Sequence, residues 1–164
     1  MSGVNCMTLR ISEAHWPDDR AIVETLFREY VASLAEDISF QNVDDEFSRL
    51  PGKYARPTGV VLIARTPEEA AGAVAYRMVE PGVCEMKRLY VRPAFRGTGL
   101  GRELANELIE DARAGGYRTM LLDTLASMAS ARALYRDLGF VAVAPYYDNP
   151  LPGVTYMALE LAEA

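Results

Sequence analysis

The sequence predicts a mixed α/β fold in which one central sheet of about seven strands is flanked by about four helices. Three observations lead there. Apolar residues recur at helical spacing in three separate stretches, with β-branched or alternating runs between them. The elements run strand, helix, helix, then three strands, the last feeding a helix through a loop, then strand, helix and two closing strands. Finally, 164 residues, 50% of them apolar, correspond to a single domain over 1–164, since a domain takes roughly 150 residues.

Met7 to Ile11 opens as a strand and ends in the turn region His15-Trp16-Pro17-Asp18. Val23, Leu26, Phe27, Tyr30, Val31 and Leu34 follow at intervals of three, one, three, one and three, one face of an amphipathic helix. Glu36 to Leu50 is polar with scattered Phe40, Val43, Phe47 and Leu50 and reads as a short helix, followed by the loop Pro51 to Pro57. Val60 to Arg65 and Ala71 to Val79 are strands joined by the turn Thr66 to Glu69, a hairpin. Pro81-Gly82 turns the chain into a third strand, Cys84 to Val91, and Arg92 to Thr98 is a loop. The stripe Leu100, Leu104, Leu108, Ile109 and Ala112 is a helix stopped by Gly115-Gly116. Thr119 to Thr124 is a strand, and Ser127 suits the N-cap of a helix carrying Met128, Ala131, Tyr135 and Leu138, with Gly139 as its C-cap. Phe140 to Ala144 and Val154 to Leu161 close the chain as strands. Hairpin neighbours are expected antiparallel and strand–helix–strand crossovers parallel.

Composition removes several function classes. Two cysteines, Cys6 and Cys84, and one histidine, His15, supply neither a disulfide framework nor a thiol-rich metal site, so no metal is expected. The net charge of −6 argues against a general nucleic-acid binder. The longest apolar run, Val60 to Ala64, is too short to span a membrane, and Met1 to Met7 lacks a secretory pattern, so the expectation is a cytoplasmic protein without a membrane partner. Charge is nevertheless uneven. Met86 to Arg102 holds Lys87, Arg88, Arg92, Arg96 and Arg102 with no acidic residue, which reads as a local anion site or as a solvated basic strip.

Inside that segment, Arg96-Gly97-Thr98-Gly99-Leu100-Gly101 lies between a strand and a helix. Glycines at 97, 99 and 101 let backbone N–H groups approach a ligand. The helix N-terminus favours an anion, and Arg96 and Arg102 add charge-assisted donors, so the chemistry fits a pyrophosphate. A Walker loop would end in Gly-Lys-Ser/Thr, where this chain has Gly101-Arg102-Glu103. A dinucleotide fingerprint would place its third glycine at Arg102. The pattern Arg/Gln-x-x-Gly-x-Gly/Ala fits Arg96, Gly99 and Gly101, and it resembles the acetyl-CoA loop of the GCN5-related N-acetyltransferase (GNAT) superfamily. The preceding strand Lys87 to Pro93 resembles that family's fourth strand, and Ala131 to Phe140 its second motif. The resemblance is strong from about Cys84 to Val141, and the order of elements extends it over the chain.

The resemblance implies the GNAT fold and transfer of an acetyl group from acetyl-CoA to a primary amine, by direct attack in a ternary complex. By the same resemblance, Leu89, Tyr90 and Val91 belong to the strand that lines the pantetheine, with backbone hydrogen bonds from Leu89 and Val91. Arg96, Gly97, Thr98, Gly99, Leu100, Gly101 and Arg102 match the pyrophosphate loop. Tyr135 matches the tyrosine beside the departing sulfur, where a phenol donates to the leaving thiolate; alternatively it continues the Met128, Ala131, Leu138 core face. An amine of pKa about 10.4 has to lose a proton, and Glu85 is the candidate base, with pairing to Lys87 or Arg88 as the structural alternative. The family often has asparagine seven residues before the tyrosine; here Met128 stands there, with Thr124, Ser127 and Ser130 nearby.

Acceptor specificity in this fold comes from the first two helices and the loop between the last two strands. Here that loop is Ala144 to Pro150, whose Tyr146, Tyr147 and Asn149 can orient a small polar substrate or simply form a proline-fixed turn. Asp44, Asp45 and Glu46 can attract a cationic amine or form a solvated face. The first expectation is acetylation of a small-molecule amine or amino acid. The competing readings are a protein lysine or N-terminal acetyltransferase and a CoA-binding regulatory module without turnover, against which Tyr135 and Glu85 argue. Dimers are common in the family, and an exposed final strand would support a homodimer.

Overall fold

A computed structural model describes residues 8–162. Its elements are β1 (Arg10–Glu13), α1 (Arg20–Ser33), α2 (Val43–Ser48), β2 (Val60–Arg65), β3 (Ala70–Glu80) and β4 (Val83–Val91). They continue with α3 (Leu100–Ala114), β5 (Thr119–Thr124), α4 (Ala129–Asp137), β6 (Val141–Val143) and β7 (Thr155–Glu160). The strands form one seven-stranded sheet in the order β1-β2-β3-β4-β5-β7-β6. Every neighbouring pair is antiparallel except β4 with β5, joined through α3. This is the mixed seven-stranded sheet with four helices that the sequence predicts.

The apolar run at β2 follows from burial on both faces of the sheet. Val60, Leu62 and Ala64 belong to one core cluster, with Leu100, Leu104, Leu108 and Ala112 of α3. Val61 and Ile63 belong to the other, with Val23, Leu26 and Phe27 of α1. The alternation is the two-residue period of a strand, and each cluster takes one helical stripe.

β4 is irregular where function is expected. Ala73 pairs with Tyr90 and Ala75 with Lys87, so Val74 alone faces both Arg88 and Leu89. This is a β-bulge, which bends a strand and increases its twist. Arg88 sits there at φ 62°, a left-handed conformation unusual for arginine. On its other edge β4 pairs with β5 only from Val83 to Glu85, whereas β5 continues to Thr124 along β7. Beyond Glu85 the two parallel strands part, and the sheet opens into a cleft.

Four local expectations differ. The first strand begins at Arg10; Met7, where it was expected to start, lies outside the described residues, as does Cys6. The 36–50 stretch divides into a 3₁₀ turn, Ser39–Gln41, and α2, because Asn42 at φ 59° breaks the helical path. Ser127 does not cap α4, whose N-cap is Met128 without a side-chain bond. Its Oγ instead donates to Glu36 Oε2 at 2.6 Å and its N–H to Oε1 at 3.1 Å. Finally, the last strand is not an edge. β7 lies between β5 and β6, and the edge is the three-residue β6, so the final strand is not the exposed edge expected to support a homodimer. Among the described residues, no helix is long and apolar enough to cross a membrane.

Candidate active site

The cleft starts at the glycine loop. Gly97 and Gly99 have φ of 79° and 84°, and no atom lies within 4 Å of where a Cβ would stand on either. Their outer face is an open cradle. α3 begins at Leu100 without a side-chain cap, so the amides of Leu100, Gly101 and Arg102 lack intrahelical acceptors. Leu100 is 2% exposed and its side chain belongs to the core, so that side chain is not offered to a ligand. Thr98 Oγ1 donates to Phe95 O at 2.7 Å and shapes the loop. Arg96 Nε donates to Val91 O at 3.0 Å, leaving its terminal nitrogens available. Arg102 meets Asp137 at 3.0 Å in an exposed pair, which contributes little and yields readily to a stronger anion. Unpaired amides, two flexible guanidinium groups and open glycines fit a pyrophosphate.

From the loop a groove of about 540 Å³ runs along the open edge of β4. Leu89, Tyr90, Val91, Arg96 and Gly101 line one wall; Ser127, Met128, Ser130, Ala131 and Leu134 line the other. Arg92 N–H donates to Ala71 O on the β3 side at 2.8 Å. Amides alternate along a strand, so Val91 N–H faces the groove. The Tyr90 side chain is engaged elsewhere: its Oη donates to Glu29 at 3.1 Å and its ring packs edge-on to Tyr30 at 6.4 Å. Met128 occupies the wall where the family's asparagine is expected and presents an apolar surface.

The groove narrows to a constriction between β4 and β5, lined by Met86, Lys87, Leu122, Asp123, Met128 and Tyr135 among others. Tyr135 is 5% exposed, packs on Phe140 with ring centroids 5.8 Å apart, and so also serves the core. Its Oη makes no hydrogen bond to the described residues. Burial, with Tyr30 and Asp123 adding to it, raises its pKa, so the phenol carries its proton at neutral pH. Cys84 is fully buried and its thiol is pushed up to about 12, chiefly by burial, which makes it inert as a nucleophile.

Beyond the constriction lies a second cavity of about 380 Å³, lined by Phe40, Gln41, Arg77, Val79, Glu85, Lys87, Tyr146, Tyr147 and Asp148. Gln41 and Lys87 also line the constriction, so the two spaces adjoin. Glu85 is 1% exposed. Its Oε1 accepts from Arg77 Nε at 3.0 Å and lies 3.9 Å from Lys87 Nζ, and its Oε2 accepts from Tyr146 Oη at 2.5 Å. Burial alone would raise its pKa; Lys87, the tyrosine and Arg77 prevail and hold it below the ordinary 4.5. Of the two expected structural partners, Lys87 is present. Arg88 turns away to the buried Glu46, with Nε to Oε2 at 3.2 Å.

The β6–β7 loop is fastened over this cavity by two carboxylates, Glu85 through Tyr146 and Asp123 through Tyr147. Asn149 Nδ2 donates to Tyr147 Oη at 2.8 Å and supports the second contact. Asn149 therefore stands behind the lining rather than in it, while both tyrosines line the space. The acidic trio 44–46 lies outside the lining of this cavity and is paired within the chain. Asp44 pairs with Arg28, Asp45 with Arg49, and Glu46 with Arg88 and Lys53. Sequence reasoning missed Asp123, Gln41 and Arg77. The one signal was Asp123 itself, an acid following the apolar Met120-Leu121-Leu122 within a strand.

Comparison with known proteins bears on this geometry. The model of the acetyltransferase (GNAT) family matches residues 20–140. An uncharacterised N-acetyltransferase of Schizosaccharomyces pombe is 43% identical over 94% of this chain and 96% of its own length. The N-acetylaspartate synthetase of Danio rerio is 35% identical over 65% of this chain, which spans 39% of that protein. A Salmonella typhimurium protein solved with its cofactor acetyl-CoA has the same fold, with a TM-score of 0.69 at 24% identity over 95% of each chain. A family model across most of the chain, and near full-length similarity to an N-acetyltransferase, establish that this enzyme belongs to the acetyltransferase (GNAT) family.

Proposed function

We propose that the enzyme transfers an acetyl group from acetyl-CoA to the primary amine of a small molecule or amino acid, by direct attack in a ternary complex. One observation carries the reading. An anion cradle, a groove along an open strand edge, a constriction beside Tyr135 and a second polar cavity follow one another through the parted sheet. The fastened loop over the second cavity favours a small acceptor over a protein segment. Acetyl-CoA, when bound, supplies an acetyl group activated as a thioester. The amides of Leu100, Gly101 and Arg102, with Arg96, would hold its pyrophosphate. The free edge of β4 at Leu89 and Val91 would bond its pantetheine arm, and Met128 would pack against it.

Tyr135, protonated in its buried setting, donates to the departing sulfur. Glu85 stays ionised, and its low basicity defines its task. A carboxylate below 4.5 does not strip a free ammonium of pKa about 10.4. The amine therefore enters as the free base, its ammonium proton released to water; Glu85 orients it through Tyr146 and accepts the second proton once bonding to the acetyl carbon has made the nitrogen acidic.

The test is thermal unfolding with acetyl-CoA, NAD or ATP, followed by a thiol-release screen of amines. Ligand at a hundred times its dissociation constant adds about 2.7 kcal/mol, a shift of roughly 5–11 °C at this size. Stabilisation by acetyl-CoA alone, with thiol release on amine addition, is expected. No shift, or a shift without turnover on any small amine, refutes the proposal.

A further inference from the structure

The acceptor cavity holds hydrogen-bond donors that the protein does not use. Lys87 is only 12% exposed in its side chain, and the one carboxylate within 4 Å of it among the described residues, Glu85, is 3.9 Å away, beyond hydrogen-bond reach. Three N–H groups are thus unspent. Gln41 Oε1 accepts from Arg88 Nη1 at 3.1 Å. A guanidinium only donates, so the amide orientation is determined and the Gln41 Nε2 donors are left over. Arg77 spends Nε on Glu85 and Nη1, weakly, on Met78 O at 3.5 Å, leaving Nη2 free. The acceptors are fewer and partly engaged: Glu85 has Arg77 and Tyr146, and Asp123 takes Tyr147 and Asn149 on Oδ2 alone, which leaves Oδ1 for an amine. A ligand that complements this inventory brings acceptors of its own and a negative charge for the buried ammonium.

The rest of the lining constrains the remainder of the ligand. Phe40 and Val79 are 40% and 39% exposed, two of the few large apolar side chains on the surface, and both border this cavity. We propose that the acceptor is an α-amino acid with an apolar side chain, its carboxylate held by Lys87 with Gln41 and Arg77 and its side chain resting on Phe40 and Val79. This deepens the acetyltransfer reading and rests on it. Lys87 also borders the constriction beside Tyr135, so a carboxylate on it places the α-amine, two bonds away, toward the transfer point. Burial also lowers the lysine's pKa, opposed by Glu85 and Asp123, and a substrate carboxylate would raise it again.

The experiment compares L-leucine, 3-methylbutylamine and L-aspartate as acceptors, by thiol release with acetyl-CoA, in the wild type and in Lys87→Met and Lys87→Arg. L-Leucine should exceed 3-methylbutylamine in kcat/KM by roughly ten- to hundredfold, the worth of hydrogen bonds to a charged group, and should exceed L-aspartate. Lys87→Met should erase most of the preference over the amine, mainly through KM, and Lys87→Arg should keep part of it. Thermal stabilisation by acetyl-CoA verifies that each variant is folded. Equal activity on L-leucine and the amine overturns the carboxylate assignment while leaving acetyltransfer standing. An equal loss on both in Lys87→Met also overturns it and gives the lysine to the transfer step. A preference for L-aspartate overturns the apolar half. Absence of stabilisation by acetyl-CoA in the wild type sinks the underlying reading instead.

Discussion

Glu46→Ala removes one partner of the buried charge pair that underlies the β4 bulge. The side chains of Arg88 and Glu46 are 3% and 8% exposed. Arg88 Nη2 adds a contact of 3.3 Å to Oε1, and Tyr54 Oη donates to Oε2 at 3.1 Å. After truncation the guanidinium keeps Gln41 and the ring faces of Tyr30 and Phe47, at 6.0 and 5.7 Å, but no anion. Breaking a buried pair costs about 3–5 kcal/mol, and a stranded buried hydroxyl about 1–3 kcal/mol. The two overlap because they share an acceptor, so a loss of about 4–6 kcal/mol is expected. Lys53 is half-exposed and adds little. At about 2–4 °C per kcal/mol for this size, the midpoint falls by roughly 8–24 °C. Urea and thermal unfolding followed by circular dichroism measure it. Burial raises the Glu46 pKa, but Arg88 and Lys53 prevail and hold it below 4.5. Its stabilisation is therefore complete above that value and lost as pH falls through the lower folded value. The gap between wild type and variant should close in acid. A loss under about 1 kcal/mol, or a gap that persists through acid, would refute the reasoning.

Tyr135→Phe should leave stabilisation by acetyl-CoA intact and lower turnover by roughly ten- to ten-thousandfold; unchanged turnover removes the acid role. Gly99→Asp places a side chain and a negative charge at φ 84° in the cradle, so acetyl-CoA stabilisation should vanish, and its retention would show that the anion binds elsewhere. Tyr147→Phe removes the bond to Asp123 and the support of Asn149. Acceptor KM should rise while acetyl-CoA affinity holds, and an unaltered KM would mean that the loop does not shape the cavity.

What could be read from the sequence was what is local. The stripe Val23, Leu26, Phe27 and the alternation in β2 state their burial through spacing alone, and both cores follow. The glycine loop is equally local, seven consecutive residues from Arg96 to Arg102. The basic segment shows where such reading ends. Its composition groups Arg88 and Arg92 with the anion-site residues, yet Glu46 and Glu29 neutralise them from 42 and 63 residues away. Nothing in the segment announces those partners. Ser127 failed as a cap for the same reason, since Glu36, 91 residues away, offers a charged acceptor in place of a helix N–H. The order of β6 and β7 is also a tertiary fact: β7 takes the position beside β5 with six pairs, and β6 is left three.

The same contrast separates the two halves of the site. The proposed donor half draws chiefly on two stretches, Leu89 to Arg102 and Ser127 to Tyr135. The acceptor half gathers Gln41, Arg77, Glu85, Lys87, Asp123 and Tyr146 from five segments of the chain. The family match ends at residue 140, before Tyr146 and Tyr147, so it bears on the donor half far more than on the loop that closes the other. Lys87 belongs to both halves by position. It precedes the bulge residue Arg88, so on the proposed reading the irregularity that frees the β4 edge for the donor also helps hold an ammonium at the junction with the acceptor. A substitution that straightened β4 would disturb donor affinity and acceptor choice together. Changes at Phe40 or Val79, on the outer rim, should alter acceptor choice alone.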